Sequence, residues 1–383
     1  MTCFPGRRLP LLLPLLAAFL LFLGGCASSP ARTPQAAEAK PAWKPGPVSP
    51  AETAGLAMSV SRESQGLASW NDMAPAIRAS LRYVSGKPAS AVAVAHPWAR
   101  LTWGQLRDSL ETLLALLPQL EDRPQLLAEQ FTWVRVDAST LLTGYYEPIL
   151  EASLTPGPEY PYPIYRKPPG RGPLPERRDI DYFGALAGQG LEIAWAKDPI
   201  DVFFLHVQGS GRLRLPDGSI KFVLYAGSNG HPYESLGQVL IDRGDVTVRD
   251  MSMQAIRAFF ERRPDLMPEL LSQNPKYIFF RLADDGPFGA INAKLTPRVS
   301  TASNFAYLPG GSLMAIDAPL PGFPDSEDRE SFFGLTLVQD TGTMRMNHLD
   351  LFCGTGDKAA HQAGLMKGRA KTYLLVSKTA LEM

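Results

Sequence analysis

Apolar side chains along this chain recur with two different periods. Leu67, Trp70, Met73, Ile77, Leu81 and Val84 fall three or four residues apart, which is one face of a helix and predicts an amphipathic helix over 66–85. Leu106, Leu110, Leu113, Leu114 and Leu117 repeat the pattern after a capping box of Thr102 and Gln105, and Pro118 ends that second helix. A third helix is predicted over 251–262, stopped by Pro264. From residue 131 onward short β-rich runs bounded by Gly and Pro take over, predicting strands at 131–136, 201–207, 219–225, 276–282, 333–339, 348–352 and 372–377. Asp217-Gly218 supplies the positive-φ residues of a hairpin turn. No segment repeats at a period of 20–50 residues, which excludes a solenoid. The expected class is mainly β, with barrel domains and attached helices.

The N-terminus departs from both patterns. Arg7 and Arg8 precede a nearly unbroken apolar run over 9–23, followed by Gly24-Gly25-Cys26. A basic start, an apolar core and small residues before a cut describe an export signal over 1–25. The run is at or below the roughly 17–25 residues a spanning helix needs. Leu23-Gly24-Gly25-Cys26 resembles a bacterial lipobox, which would make Cys26 the lipidated N-terminus. Ala27-Ser28-Ser29 lacks the Asp that retains a lipoprotein in the inner membrane, so an outer-membrane lipoprotein facing the periplasm is expected. Residues 26–50 hold Pro30, Pro34, Pro41, Pro45, Pro47 and Pro50 among Ala and Ser, a semi-rigid tether, and the folded part is expected from about 51.

Composition narrows the chemistry. The 383 residues carry 38 Lys+Arg against 38 Asp+Glu, and zero net charge argues against holding nucleic acid by bulk electrostatics. Cys3, Cys26 and Cys353 build neither a disulfide framework nor a thiolate zinc site. The five His show no metal-motif spacing, so no metal or cofactor is expected. Gly209-Ser210-Gly211 and Gly354-Thr355-Gly356 fail the dinucleotide and phosphate-loop fingerprints and read as tight turns. Residues 148–175 carry nine Pro, and six of the twelve Tyr fall between 145 and 182. Such a segment can be plain packed loop, a polyproline ligand, or a set of rings that stack on sugar faces.

Asp350 is the residue most suited to chemistry. Within His348-Leu349-Asp350-Leu351-Phe352, strand alternation puts His348, Asp350 and Phe352 on one face and the two Leu on the other. An Asp among apolar neighbours is seldom buried unless paired or functional, and partial desolvation would keep it protonated nearer neutrality, as a general acid requires. An Asp that satisfies backbone N–H groups at a strand end fits the same pattern.

Around these residues the chain resembles the membrane-bound lytic murein transglycosylase A (MltA) family with its C-terminal 3D domain. The resemblance rests on Thr143-Gly144-Tyr145-Tyr146-Glu147-Pro148, His206-Val207-Gln208-Gly209-Ser210-Gly211-Arg212, Asn274-Pro275-Lys276-Tyr277-Ile278-Phe279-Phe280, Leu295-Thr296-Pro297, Gln339-Asp340-Thr341-Gly342 and Asp350-Leu351-Phe352 with Gly354-Thr355-Gly356. These motifs stand in family order from about 120 to 378. The resemblance implies a double-ψ β-barrel domain built from 51–147 and 285–383, with a second barrel-like domain inserted at 148–284 and a substrate groove between them. It implies non-hydrolytic cleavage of the β-1,4 bond between N-acetylmuramic acid and N-acetylglucosamine in peptidoglycan, leaving a 1,6-anhydromuramoyl end. Asp350 matches the catalytic acid and Asp340 its supporting carboxylate, while Tyr145, Tyr146, Gln208, Ser210, Arg212, Thr296 and Arg298 are carried over as groove-lining residues. Two departures stand out: Asn304 occupies the place of the domain's first Asp, and the 341–349 connection lacks the family's Gly/Ala-Ile-Lys-Gly pattern. A hydrolase using water on the same substrate and a non-catalytic peptidoglycan-binding lipoprotein are the alternatives.

Overall fold

The computed structural model describes residues 44–136, 140–170, 172–322 and 329–382. The export signal, Cys26 and most of the tether lie outside the described residues. None of the described helices is long and apolar enough to cross a membrane.

The chain enters through β1 (Gly46–Pro47), α1 (Pro50–Ser59), α2 (Ala74–Ser85), a hairpin of β2 (Val92–His96) and β3 (Ala99–Thr102), α3 (Trp103–Leu116) and α4 (Leu126–Gln130). It then forms β4 (Phe131–Arg135) and β5 (Thr140–Glu147). The Thr102–Gln105 box caps α3 as expected. The helix predicted over 66–85 starts only at Ala74, because Ser69 and Asp72 form a box around a separate 3₁₀ turn and Pro75 occupies the first turn of α2. Ordered pairing begins before residue 51: Gly46 and Pro47 pair antiparallel with Arg135 and Val134.

The next segment builds a sheet of its own from β6 (Ile149–Ser153), β7 (Tyr162–Tyr165), β8 (Glu192–Ala196), β9 (Ser210–Arg214), β10 (Ile220–Ser228) and β11 (Ile278–Ala283), in the order β11-β10-β9-β6-β8-β7. The sheet curls until its edges β7 and β11 meet, around a core that includes Leu150, Ile164, Ala194, Leu213, Val223 and Phe280. The helices α5 (Arg177–Asp181), α6 (Pro199–Gln208), α7 (Leu236–Asp242), α8 (Met253–Arg262) and α9 (Met267–Leu271) belong to the same segment. Here a sequence expectation fails, since 201–207 is helix rather than strand. The run of Val, Phe and Leu has β-forming composition, but Asp198 caps Ile200 N at 2.7 Å, Pro199 sits in the first turn, and Gly209 closes the end at φ 80°. Capping and burial of both faces outweigh propensity.

The chain returns with β12 (Ser300–Ser303), β13 (Leu313–Leu320), β14 (Glu330–Asp340), β15 (His348–Thr355), α10 (Asp357–Leu365), β16 (Lys367–Ser377) and α11 (Lys378–Leu381). The ring β5-β16-β13-β14-β12-β15 closes because β15 and β16 both pair with β5. Within it β12 runs parallel to β14, and β15 runs parallel to β5. Alternate residues of these strands, among them Leu142, Ile316, Val338, Leu349, Leu351 and Leu374, fill one core, while Trp133, Leu335, Leu337 and Leu375 pack outward against the N-terminal helices. A closed ring leaves few edges to protect. It also aims every second residue of β15 away from the core, which is where Asp350 lies.

Candidate active site

Asp350 and Asp340 are brought together by one small residue. Ala302 of β12 is the register partner of Asp340 on one side and of Asp350 on the other, so both carboxylates leave the same face, with Cα atoms about 10 Å apart across two strand spacings. The adjacent pairs are Asp350 with Thr143 and Phe352 with Tyr145. Tyr145, Leu295, Ala302 and Phe352 form an apolar cluster at this point, with Met344 against it.

The environment of Asp350 suits proton transfer. Thr143 donates from Oγ1 to Asp350 Oδ1 at 2.7 Å and lies 2.7 Å from His348 Nε2. A hydroxyl has one proton to give, so the order is His348 Nε2–H to Thr143, then Thr143 O–H to Asp350, which assigns the His348 tautomer. Burial, and then the nearby charge of Arg345, hold His348 below its usual pKa and keep it neutral. Desolvation pushes the Asp350 carboxyl up to about 7; the Thr143 bond opposes this and the Asp340 charge adds to it. Asp350 remains partly accessible, and Oδ2 carries no hydrogen bond among the described residues.

Asp340 is held differently. Its Oδ1 accepts from Ala290 N and Thr341 N, each at 2.9 Å. Desolvation raises it to about 6, against the opposing pull of these backbone bonds and of Tyr145. The Tyr145 hydroxyl is buried, completes no hydrogen bond of ordinary geometry, and faces Asp340. Burial first, and then the two carboxylates, hold that hydroxyl well above its normal pKa. Close approach of the Ala290 segment requires glycine at 289, where a Cβ would stand 2.4 Å from Gln339 O.

The other expected site residues divide. Tyr146, on the opposite face of β5, packs its ring on Ala359 and Ala363 of α10, and its N–H donates to Gln208 Oε1 at 3.0 Å. Ser210 opens β9 and is half-buried. Arg212 stacks on Phe222 at 4.9 Å and donates from Nε to Glu147 Oε2 at 2.7 Å. Thr296 sits in the turn before β12, where its N–H donates to Ser300 Oγ at 2.8 Å. Arg298 is turned into the barrel's packing. Its guanidinium makes a two-pronged pair with Glu330 at 2.6 and 2.7 Å and also reaches Gln362 Oε1 at 3.0 Å and Ser64 O at 3.0 Å. A left-handed backbone at φ 58° and a bond from its N–H to Phe352 O keep it there.

Four participants escape sequence reasoning. Thr143 and His348 form the relay, and Ala290 N anchors Asp340. Glu147 is wholly buried, with Arg212 and Thr355 (2.7 Å) on Oε2 and no partner on Oε1, so it ties the inserted segment to the barrel beneath the site. The signal for Thr143 and Glu147 is their two-residue spacing from Tyr145. Asn304 also has a defined structural role, since Nδ2 donates to Met344 O at 3.2 Å while Oδ1 accepts from Ala306 N at 3.0 Å. A carboxylate there has no proton to offer the Met344 carbonyl. Among the described residues no group of three His, Cys, Asp or Glu is arranged to hold a metal ion.

Comparison with known proteins agrees with this architecture. Residues 141–281 match the MltA specific insert domain and 300–376 match the 3D domain. The membrane-bound lytic murein transglycosylase A of Escherichia coli K12 is 40% identical over 237 residues, covering 61% of this chain and 64% of that protein. The Vibrio cholerae protein is 35% identical over 241 residues, with 62% and 65% covered. The chain therefore aligns with just under two thirds of the length of these curated relatives. Among solved structures, the membrane-bound lytic murein transglycosylase from Agrobacterium tumefaciens superposes with a TM-score of 0.74 at 30% identity, covering 89% of this chain and 99% of that one. Escherichia coli MltA with bound chitohexaose gives 0.68 at 30% identity, with 80% and 90% covered. Matching on both domain models, and alignment over nearly the whole of a 30%-identical solved structure, show that the chain belongs to the membrane-bound lytic murein transglycosylase A family.

Proposed function

We propose that this protein is a lytic transglycosylase that cleaves peptidoglycan between N-acetylmuramic acid and N-acetylglucosamine without water, with Asp350 as its single acid and base. The observation that carries this reading is the state of Asp350: partly accessible, raised to about 7, and fixed through one oxygen by Thr143. In the first step the protonated carboxyl gives its proton to the glycosidic oxygen as that oxygen leaves C1. In the second, the resulting carboxylate takes the proton of the muramic acid C6 hydroxyl while O6 bonds to C1. An intramolecular nucleophile has an effective molarity of roughly 10⁵ M or more, so a second catalytic base is not required. Asp340, pinned by two backbone N–H groups, serves as a fixed charge that keeps Asp350 protonated near neutrality. The chitohexaose in the related Escherichia coli structure supports a β-1,4-linked amino-sugar chain as the ligand class, with Tyr145, Gln208, Ser210, Arg212 and Thr296 lining its path.

The decisive experiment digests purified sacculi with protein lacking the first 26 residues and weighs the muropeptides. Products one water lighter than hydrolytic ones, with no reducing end, are expected. Reducing-end products would make the protein a hydrolase, and sacculus binding without products would make it a binding module.

The acid–base pair also sets a pH profile. The competent state has Asp350 protonated and Asp340 ionised, so kcat/KM should be bell-shaped with limbs near 6 and 7 that belong to the coupled pair. Tyr145→Phe removes a group that lowers the Asp340 pKa and should move the acid limb upward. Asp340→Asn should abolish that limb and move the alkaline one downward. An unchanged profile in both variants would disprove the assignment.

We further propose that the protein is an outer-membrane lipoprotein anchored through Cys26 and facing the periplasm. The relatives are named as membrane-bound, and acyl chains at a single site hold a protein far more firmly than one chain does. Cys26→Ser should release it from the membrane fraction; retention there would refute the anchor.

A further inference from the structure

The groove carries two cations that the reaction does not use. Lys276 stands on the inserted segment just before β11, and its ammonium reaches to the barrel, donating to Thr343 Oγ1 at 2.7 Å. Thr343 lies in the connection between β14 and β15, the strands that carry Asp340 and Asp350, so this contact crosses from one wall to the other directly beside the site. That connection is pinned from below: Thr341 Oγ1 donates to Ser303 O at 2.7 Å, Asn304 holds Met344 O, and the Met344 side chain packs on the Tyr145–Phe352 cluster. Arg345, two residues beyond Thr343, is exposed, and its charge is felt at His348.

Neither cation has a carboxylate partner among the described residues. Lys276 is half-buried, its hydrogen-bond partner is a neutral hydroxyl, and desolvation alone lowers its pKa, with no acid near enough to oppose it. Among the described residues most other partly buried cations are compensated: Arg212 by Glu147, Arg177 by Asp181, Arg257 by Asp201 and Arg298 by Glu330. Nor do Lys276 and Arg345 serve the catalytic acid, because no positive charge contributes to the pKa of Asp350 or Asp340. A desolvated ammonium without a counterion is unfavourable in the free protein and becomes favourable when a ligand supplies the anion.

Resting on the transglycosylase reading, we infer that Lys276 and Arg345 form an anion-recognition site on the groove rim for the free carboxylates of the peptide stem that muramic acid carries. A glycan strand seated over Asp350 presents its lactyl-linked stem away from the scissile bond, towards a wall of the groove. A carboxylate arriving there replaces the Thr343 hydroxyl on Lys276 with a charged acceptor. The sugar-lining residues read the glycan, and this pair distinguishes stem-bearing strands from naked ones.

The test compares stem-bearing strands with the same strands stripped by an amidase. For Lys276→Gln/Arg345→Gln, KM for stem-bearing strands should rise about fivefold, the scale of two partly exposed charge contacts. Cleavage of stripped strands should be unchanged, as should kcat on both, because burial, the larger cause, keeps His348 neutral without the Arg345 charge. Thr343→Ala should behave as wild type on both substrates. Equal losses on the two substrates, no loss on either, or a Thr343→Ala variant that reproduces the double variant would each overturn the site, the last by showing the contact to be a structural latch. Binding of stem-bearing and stripped tetrasaccharides to Asp350→Asn protein provides a readout independent of turnover. Preference for the stem-bearing form, lost in the double variant, would support the site even if the wild type cleaves neither substrate and the catalytic reading falls. Equal binding of the two forms overturns it.

Discussion

Asp350→Asn is expected to abolish peptidoglycan cleavage while making the protein more stable at neutral pH. Loss of a general acid alone costs roughly 10²–10⁴-fold, and in the proposed mechanism the same group acts in both steps, so a fall of about 10³-fold or more is expected. Stability moves the other way because the folded carboxyl titrates near 7 and an unfolded Asp near about 3.9. Between those values the native state binds more protons than the unfolded chain, so stability falls as pH rises through the window and the full cost applies above it. Asparagine keeps the acceptor for Thr143 and removes the charge. A gain on the order of 2–4 kcal/mol is expected above pH 7, with little difference near pH 4. Denaturant midpoints at both pH values, read beside muropeptide release, test this. Retained cleavage removes Asp350 from the mechanism, and an equal stability difference between variant and wild type at the two pH values removes its raised pKa.

Arg298→Met has the second largest expected effect, on folding rather than on substrate affinity. The Arg298 side chain is only 10% exposed, and its guanidinium serves Glu330, Gln362 and the Ser64 carbonyl together. Removing one partner of such a pair leaves an uncompensated carboxylate and costs about 3–5 kcal/mol. The urea midpoint should fall sharply, while KM for glycan strands at permissive temperature stays within about twofold. A raised KM at unchanged stability would return Arg298 to the groove. The same geometry explains how Leu295-Thr296-Pro297-Arg298 serves two purposes. Thr296 stays at the surface of the turn, and the left-handed backbone at Arg298 accompanies the inward turn of the Arg298 side chain.

Much of the face that carries Asp350 is legible in local periodicity. Alternation along 348–352 separates Asp350 and Phe352 from Leu349 and Leu351, and the structure buries both leucines completely. The same rule applied to 143–147 places Thr143, Tyr145 and Glu147 on one face and Tyr146 on the other. Treating both tyrosines as equals overlooks it: Tyr145 faces Asp340, while Tyr146 packs on α10. The segment 201–207 misleads because helix and strand compete for the same apolar run. The Asp198-Pro199 start and Gly209 stop that decide the matter lie outside it. Asn304 reads as a lost acid, yet its amide secures the connection between the strands that carry Asp340 and Asp350.

By itself the sequence determined β4, β10, β11, β14, β15 and β16, the Asp217-Gly218 turn, the candidate acidic pair and the family, because these depend on neighbours within a few residues or on ordered motifs. Tertiary structure decided what the acidic pair could do. Asp340 and Asp350 become partners only because β12, contributed from some forty residues away, slides between their strands and offers Ala302 to both. Their pKa values rise because the closed barrel removes water from that face. Whether an arginine lines a groove or braces a core is likewise set by what stands opposite it. Desolvation and non-local pairing are properties of the assembled surface, and no window of the chain carries them.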